Sequence, residues 1–294
     1  PKRMIRFEGL PAAEFMSRYD GDLLDDKKRT KEHLLKGNFP VAPGKSFWFW
    51  ERKKACKYGA EELGFPLVVK PRSGSVARHV TTNVRSREAL EGAIRRARKY
   101  SPAFIVEKFL ADTFVYRATV VDFDQVACAQ QIPAHVRGDG KHAISELIKI
   151  KNSDPRRGEP NKKGFILSKL IVNDVTNNLL QKRGYAPSTI PRKGEIVYIQ
   201  EDPFLKLGGD LIEVTSTVHP RNTRLFREVA KWFDVRLVGI DVVAEDLSRP
   251  WEAQPCAILE LNSLPCIEMH HFPSFGKPQN VAGAIMDMML KYYT

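Results

Sequence analysis

Short apolar runs closed by proline, glycine or polar turns constrain this chain more than any other feature. Pro66-Leu67-Val68-Val69-Lys70-Pro71, Phe104-Ile105-Val106, Val235 to Ala244 and Ala257 to Asn262 read as buried strands. Val80 to Val84 fits as a hairpin partner of the first. Tyr116 to Val121 and Gln125 to Ile132 fit a hairpin around Asp122–Asp124. Helical patterns lie between them: Asp26 to Lys36, ending near Gly37; Arg52 to Leu63, closed by Gly64; and Ser86 to Tyr100, with Leu90, Ala93, Ile94 and Ala97 on one face. Phe165 to Gln181, Arg221 to Phe233 and Val281 to Tyr292 complete the set, the last with an apolar stripe of Ala284, Ile285, Met288 and Met289. Strands and helices alternate with hairpins mixed in, which predicts an α+β fold rather than a purely parallel sheet.

At 294 residues the chain can bury a substantial core as one large domain or two small ones. Hydrophobic residues at 43% and charged residues at 28% exclude a disordered chain. The net charge of +12 favours anionic partners such as nucleotides, phosphates or acidic polymers. No RNP, KH or zinc-finger pattern accompanies the charge, so no specific nucleic-acid partner is expected. No apolar run reaches the roughly 20 residues that span a bilayer, and no signal-peptide pattern opens the chain. Cys56, Cys128, Cys256 and Cys266 form no C-x-x-C, and are expected to be reduced, mostly buried thiols of a cytoplasmic protein.

Three short stretches carry chemistry. Glu260 and Asn262 are two apart on a strand and so share a face. If the strand holding Asp241 pairs with theirs, three oxygens converge, and hard oxygen ligands suit Mg²⁺. Lys70 ends a strand before Arg72-Ser73-Gly74-Ser75, where its charge and a small-residue loop could hold a phosphate. Glu107-Lys108-Phe109-Leu110 leaves a buried strand and could offer a purine one acceptor, one backbone donor and apolar walls.

The order of these stretches resembles the ATP-grasp superfamily, and more closely the ATP-grasp domain of cyanophycin synthetase and related peptide ligases. The resemblance runs through Asp26-Lys27 with Thr30-Lys31, Val68 to Pro71, Val106 to Leu110, Gly239-Ile240-Asp241 and Glu260-Leu261-Asn262. Its more specific segments are Ile132 to Gly140 and Asn152 to Gly158, with support from Gly208-Gly209, Val218-His219-Pro220, Met269 to Pro273 and Gly276-Lys277-Pro278. It covers about residues 22 to 291.

The resemblance implies an ATP-grasp fold of two α+β lobes that clamp the nucleotide. A lead-in segment over 1–21 would precede an N-terminal lobe over 22–107 and a C-terminal lobe over 108–294 that carries the metal site. It implies an ATP-dependent carboxylate–amine ligase acting through an acylphosphate, with ATP and Mg²⁺. Lys27, Lys70, Ser73, Gly74 and Ser75 would hold phosphates, and Glu107, Lys108, Phe109 and Leu110 the adenine. Asp241, Glu260 and Asn262 would hold Mg²⁺. Lys206, Arg117 and Arg78 would be catalytic. Arg137, Arg156, Arg157, His219 and His270 would meet a small-molecule or acidic-peptide substrate. The chain would be part of a longer synthetase, and a homo-oligomer is left open.

The sequence also departs from the family pattern. Two glycines of the phosphate loop are Ala77 and His79, and the arginine of R-x-P-A is Gln131. Lys206 could restore the lost charge. The ribose-binding acid falls on Val115, with Asp112 as a substitute. These departures leave open a diverged module that binds nucleotide with little ligase activity. Phe47-Trp48-Phe49-Trp50 could be a partner surface or a stacking platform, although such a cluster is more often core or an interlobe contact. No G-x-x-x-x-G-K-[ST] occurs, so no second ATP site of that type is expected.

Overall fold

The structure, a computed structural model, describes residues 23–24, 26–72, 79–160 and 162–293. Ser73, Gly74, Ser75, Ala77 and Arg78 lie outside the described residues. The helices are α1 (Lys27–Lys36), α2 (Arg52–Lys57), α3 (Arg87–Ala97), α4 (Ile144–Asn152), α5 (Asp174–Lys182), α6 (Pro220–Trp232), α7 (Glu268–His271) and α8 (Val281–Tyr293). The chain divides into two compact units. The first runs to Val126 and adds Ser216–Pro265 and the chain from Gly283. The second is Ala127–Thr215 with Cys266–Ala282.

The first unit holds a four-stranded antiparallel sheet in the order β1-β4-β2-β3, where β1 is Gly44–Trp48, β2 Leu67–Pro71, β3 Thr81–Val84 and β4 Ala103–Lys108. Helix α3 is capped by Ser86 Oγ, which accepts from the Ala89 N–H at 3.1 Å. It lays Leu90, Ala93, Ile94 and Ala97 against Leu67, Val69, Phe104 and Val106 of the sheet. That face was legible in the helical spacing. Strand β1 was not: Phe47 is buried and Trp48 exposed, the alternation of an edge strand, inside a run that reads as an aromatic patch. The same unit contains β5 (Phe114–Val121), then, farther along the chain, a strand at Leu237–Ala244 antiparallel to it and one at Cys256–Asn262 antiparallel to that.

In the second unit the strands are β6 (Gln125–Ile132, entering from the first unit), β7 (His135–Arg137), β8 (Arg157–Gly158), β9 (Leu167–Ser168), β10 (Ile196–Tyr198) and β11 (Asp210–Glu213). The two late strands of the first unit are therefore β12 (Leu237–Ala244) and β13 (Cys256–Asn262). Strand β11 pairs antiparallel with β6, β10 with β7, and β8 runs parallel to β9. Helices α4 and α5 pack Ile144, Leu147, Ile148 and Leu180 around Val136, Val197 and Ile199.

The expected helix over Phe165–Gln181 is shorter than its pattern suggested. Leu167 and Ser168 are extended against Arg157 and Gly158, and the helix begins after Asn173, whose side chain accepts from the Thr176 N–H at 3.1 Å. The stretch from His135 to Lys163 carries β7, α4 and β8. None of the four cysteines is in a disulfide. Cys56 and Cys128 are buried, but Cys266 is exposed. Among the described residues no helix is long and apolar enough to cross a membrane.

Candidate active site

Two clusters of charge are built into the first unit. The earlier one centres on Glu107, 4% exposed on β4. Its carboxylate accepts from Lys31 Nζ of α1 at 3.0 Å and faces Lys70 Nζ of β2 at 2.6 Å. Burial alone would push the Glu107 carboxyl up, but Lys70 and Lys31 outweigh it and hold the acid below its ordinary range. Burial pushes the Lys31 ammonium down, against the pull of Glu107.

Gly44 lies directly across from Glu107 in the β1–β4 register. A Cβ at Gly44 would strike Glu107 Cβ and come within 2.7 Å of its Cα, so glycine is required beside the buried acid.

Asp26 fixes how α1 meets β2. Its Oδ1 accepts from the Lys28 and Arg29 N–H groups at 2.9 and 3.2 Å, which caps the helix. The same carboxylate takes a fork from Arg72, with Nε at 3.0 Å and Nη2 at 2.5 Å. Lys108 is anchored too: its Nζ donates to the carbonyls of Gly64 and Phe65, each at 3.0 Å. Phe109 and Leu110 are half-buried beyond it, and Asp112 is exposed with φ 57°.

The second cluster joins β5, β12 and β13. Asp241 pairs in register with Arg117 on one side and Glu260 on the other. Arg117 donates to Asp241 through Nε at 2.5 Å and Nη2 at 2.9 Å, and Asn262 Nδ2 donates to Asp241 Oδ2 at 3.2 Å. Lys27 Nζ lies 3.4 Å from Glu260 Oε2. Burial and the neighbouring Asp241 charge push the Glu260 carboxyl up, while Lys27 pulls it down. The structure thus brings Asp241, Glu260 and Asn262 together with Lys27 and Arg117.

The remaining expected residues are dispersed. In the second unit Arg137 and Arg156 line a cavity of about 630 Å³ with His135, Lys151 and Asp210. Arg156 is forked to Asp154 at 2.8 Å and reaches the Ser274 carbonyl at 3.2 Å. Arg157 edges this cavity but is buried. Its guanidinium donates to Asp210 and to the Ser168 carbonyl at 2.8 Å, so it holds the fold rather than facing a ligand. His270 is fully buried, its Nδ1 3.0 Å from Glu213 Oε2, also a position for support and not for substrate contact. His219 lies in the first unit as the cap of α6, accepting from the Arg221 N–H at 3.2 Å. Lys206 is exposed in a short turn before Gly208-Gly209, and Gln131 is half-buried on β6.

This geometry can be set beside known proteins. The D-ala D-ala ligase C-terminus family model matches residues 39–149. The chain is 37% identical over 269 residues to cyanophycin synthetase of Trichormus variabilis, across 91% of this chain and 29% of that protein. It is 30% identical over 272 residues to the glutathione biosynthesis bifunctional protein of Enterococcus faecalis, across 91% of this chain and 35% of that one. Among solved structures, a bifunctional glutathione synthetase from Pasteurella multocida superposes with a TM-score of 0.71 at 25% identity, over 95% of this chain and 38% of that one. The chain has the ATP-grasp fold. This ATP-grasp chain has the fold expected from its sequence, and a D-alanine–D-alanine ligase from Bacillus anthracis shares it, with a TM-score of 0.50 at 16% identity over 92% of this chain and 67% of that one. The ATP-grasp chain spans about three-tenths of the length of the cyanophycin synthetases it matches.

Lys31 is the residue that the sequence reading left without a role. Its one signal was position: it falls four residues after Lys27 and therefore on the same helix face.

Proposed function

We propose that this chain is an ATP-dependent carboxylate–amine ligase that forms an amide bond through an acylphosphate. The observation that carries the reading is the row of Asp241 and Glu260, adjacent across two strands. Like charges directly opposite in a sheet are destabilising on their own, and here Arg117 and Lys27 offset them in the absence of a metal ion. Mg²⁺ is commonly held by one or two carboxylates plus substrate phosphates. The donor set fits it: two carboxylates and the Asn262 amide oxygen, all hard oxygen donors. When bound there, Mg²⁺ would neutralise phosphate charge.

The chain's own residues supply the rest in this reading. Lys27 and Lys70, with Ser73, Gly74 and Ser75, bind the ATP phosphates. Glu107, Lys108, Phe109 and Leu110 receive the adenine, and Asp112 the ribose. A substrate carboxylate oxygen attacks the γ-phosphorus and ADP leaves. An amine then attacks the acyl carbon, phosphate departs, and the amine proton is lost as the C–N bond forms. Arg117, Arg78 and Lys206 aim positive charge at the transferring group, Lys206 replacing the arginine lost at Gln131. Arg137 and Arg156 are suited to an anionic substrate such as an acidic peptide, while Arg157, His219 and His270 also make contacts that support the fold. In this reading the lobes span 22–107 and 108–294 after a lead-in over 1–21, a division along the sequence that differs from the two compact units. The activity of a longer synthetase and its assembly belong to the same proposal.

The test is ADP release from MgATP across a panel of acidic peptides and amino acids, beside calorimetry of MgATP binding. Turnover with one pair is expected, and Lys206→Ala should lower it on the order of 10²-fold. Gln131 favours a second reading, a nucleotide-binding module. Binding of MgATP with no turnover on any pair would select it.

A further inference from the structure

We propose that Arg117 is the resident counter-ion of the carboxylate pair, filling Asp241 until a divalent cation displaces it. The proposal rests on the metal-site reading above and adds a competitor to it.

The contact itself is the first observation. An ionised carboxylate has about four lone-pair sites. Arg117 Nε and Nη2 take two of those on Asp241, at 2.5 and 2.9 Å, and Asn262 Nδ2 takes a third at 3.2 Å. The Arg117 and Asp241 side chains are each only 11% exposed, so water screens the pair poorly.

Charge along the row is the second. Arg117, Asp241 and Glu260 lie side by side on three successive strands, and Lys27 closes the row at 3.4 Å from Glu260. The four groups are neutral together. A divalent cation added with both basic groups in place would leave two excess positive charges in a partly buried site. Arg117 holds the lone pairs that the cation needs, so Arg117 is the group that must move.

Gly239 is the third, and it is independent of charge. It lies two residues before Asp241 and so on the same face of β12. A Cβ there would come 3.0 Å from Pro265 Cβ, 3.1 Å from Arg117 Nη1 and 3.3 Å from Arg117 Cδ. The strand leaves open the lane that the arginine occupies.

A displaced guanidinium keeps its charge and suits phosphate oxygens. A cation arriving alone works against that charge, whereas a cation arriving with a polyphosphate works with it. Metal and nucleotide should therefore bind synergistically.

The experiment is an electron paramagnetic resonance titration of free Mn²⁺ into the full chain without nucleotide. Arg117→Gln should bind Mn²⁺ at least about tenfold tighter than wild type, the scale of one lost charged hydrogen bond. Gly239→Ala, which crowds the arginine but keeps its charge, should move in the same direction. Pyrophosphate should tighten Mn²⁺ binding more in wild type than in Arg117→Gln. Equal or weaker Mn²⁺ binding by Arg117→Gln overturns the proposal. A readout on wild type serves if the variants do not fold: the Arg117 Nε–H resonance should shift as Mg²⁺ saturates the protein, and an unmoved resonance overturns it. If wild type, Arg117→Gln and Asp241→Asn alike bind no Mn²⁺ even with pyrophosphate, the metal-site reading falls as well.

Discussion

Lys31 shows what a single side chain adds that its sequence neighbourhood could not reveal. Helix α1 also carries Lys27, Lys28 and Lys36, and nothing in composition marks one lysine as special. Only the packing of α1 beside β4 puts the Lys31 ammonium 3.0 Å from a buried carboxylate. The same contact changes what Glu107 is. Its spacing suggested an acceptor for an adenine amine, and here it also orders two ammonium groups. If the Lys31–Glu107–Lys70 trio shapes the phosphate side of the site, Lys31→Met should weaken MgATP binding about tenfold, the loss of one charge-assisted hydrogen bond. Lys31→Arg should recover part of it. Calorimetry finding Lys31→Met equal to wild type would reduce Lys31 to a structural role.

At the scale of elements, Asp26 joins a helix start to a strand end, and its two jobs can be separated. Asp26→Asn keeps a capping oxygen but loses the charged fork with Arg72. Asp26→Ala loses both. Removing a cap typically costs about 1 kcal/mol, and a charged hydrogen bond contributes about 1.5–3 kcal/mol. Asp26→Ala should therefore be less stable than Asp26→Asn by about 1 kcal/mol in urea unfolding, and equal midpoints would deny the cap. The helix itself was legible because Asp26 and Gly37 bracket a charged run. The strands β2, β4, β12 and β13 were legible because short apolar runs between turn residues have few alternatives. Strands of two or three residues such as β8, β9 and β10 carry no periodicity to read. Ile166 and Leu167 mimicked a helical pattern because a parallel bridge to Arg157 and Gly158 has no local signature. In the site, the pairing of Asp241 with Glu260 followed from strand order. The placement of Arg157 and His270 did not, since a buried arginine or histidine and a ligand-facing one look alike in sequence.

Over the whole molecule, each compact unit is organised around a buried acid held by two basic side chains. Glu107 serves the first unit. In the second, Asp210 is 1% exposed and accepts from Arg157, from Lys151 at 2.5 Å and from Ser274 Oγ at 2.8 Å. Burial pushes the Asp210 carboxyl up, but Lys151 and Arg157 outweigh it and hold the acid below its ordinary 3.8. Glu107 is lowered in the same sense. The sign of the pH effect follows. A carboxyl whose pKa is lower in the folded state stabilises that state above the unfolded pKa, and the contribution fades as pH falls toward the folded value. Stability from both hubs should be full at neutral pH and fall below about pH 4. Asp210→Asn tests this in the second unit. At pH 7 it leaves buried Arg157 and half-buried Lys151 without their anion, an imbalance that commonly costs about 3–5 kcal/mol. As pH drops below about 4, Asp210 of the unfolded chain takes up its proton while the folded one resists, so the wild-type advantage should shrink in urea unfolding at fixed ionic strength. A wild-type advantage that stays constant from pH 7 to pH 3 would show that shape at Asp210, not charge, holds the second unit together.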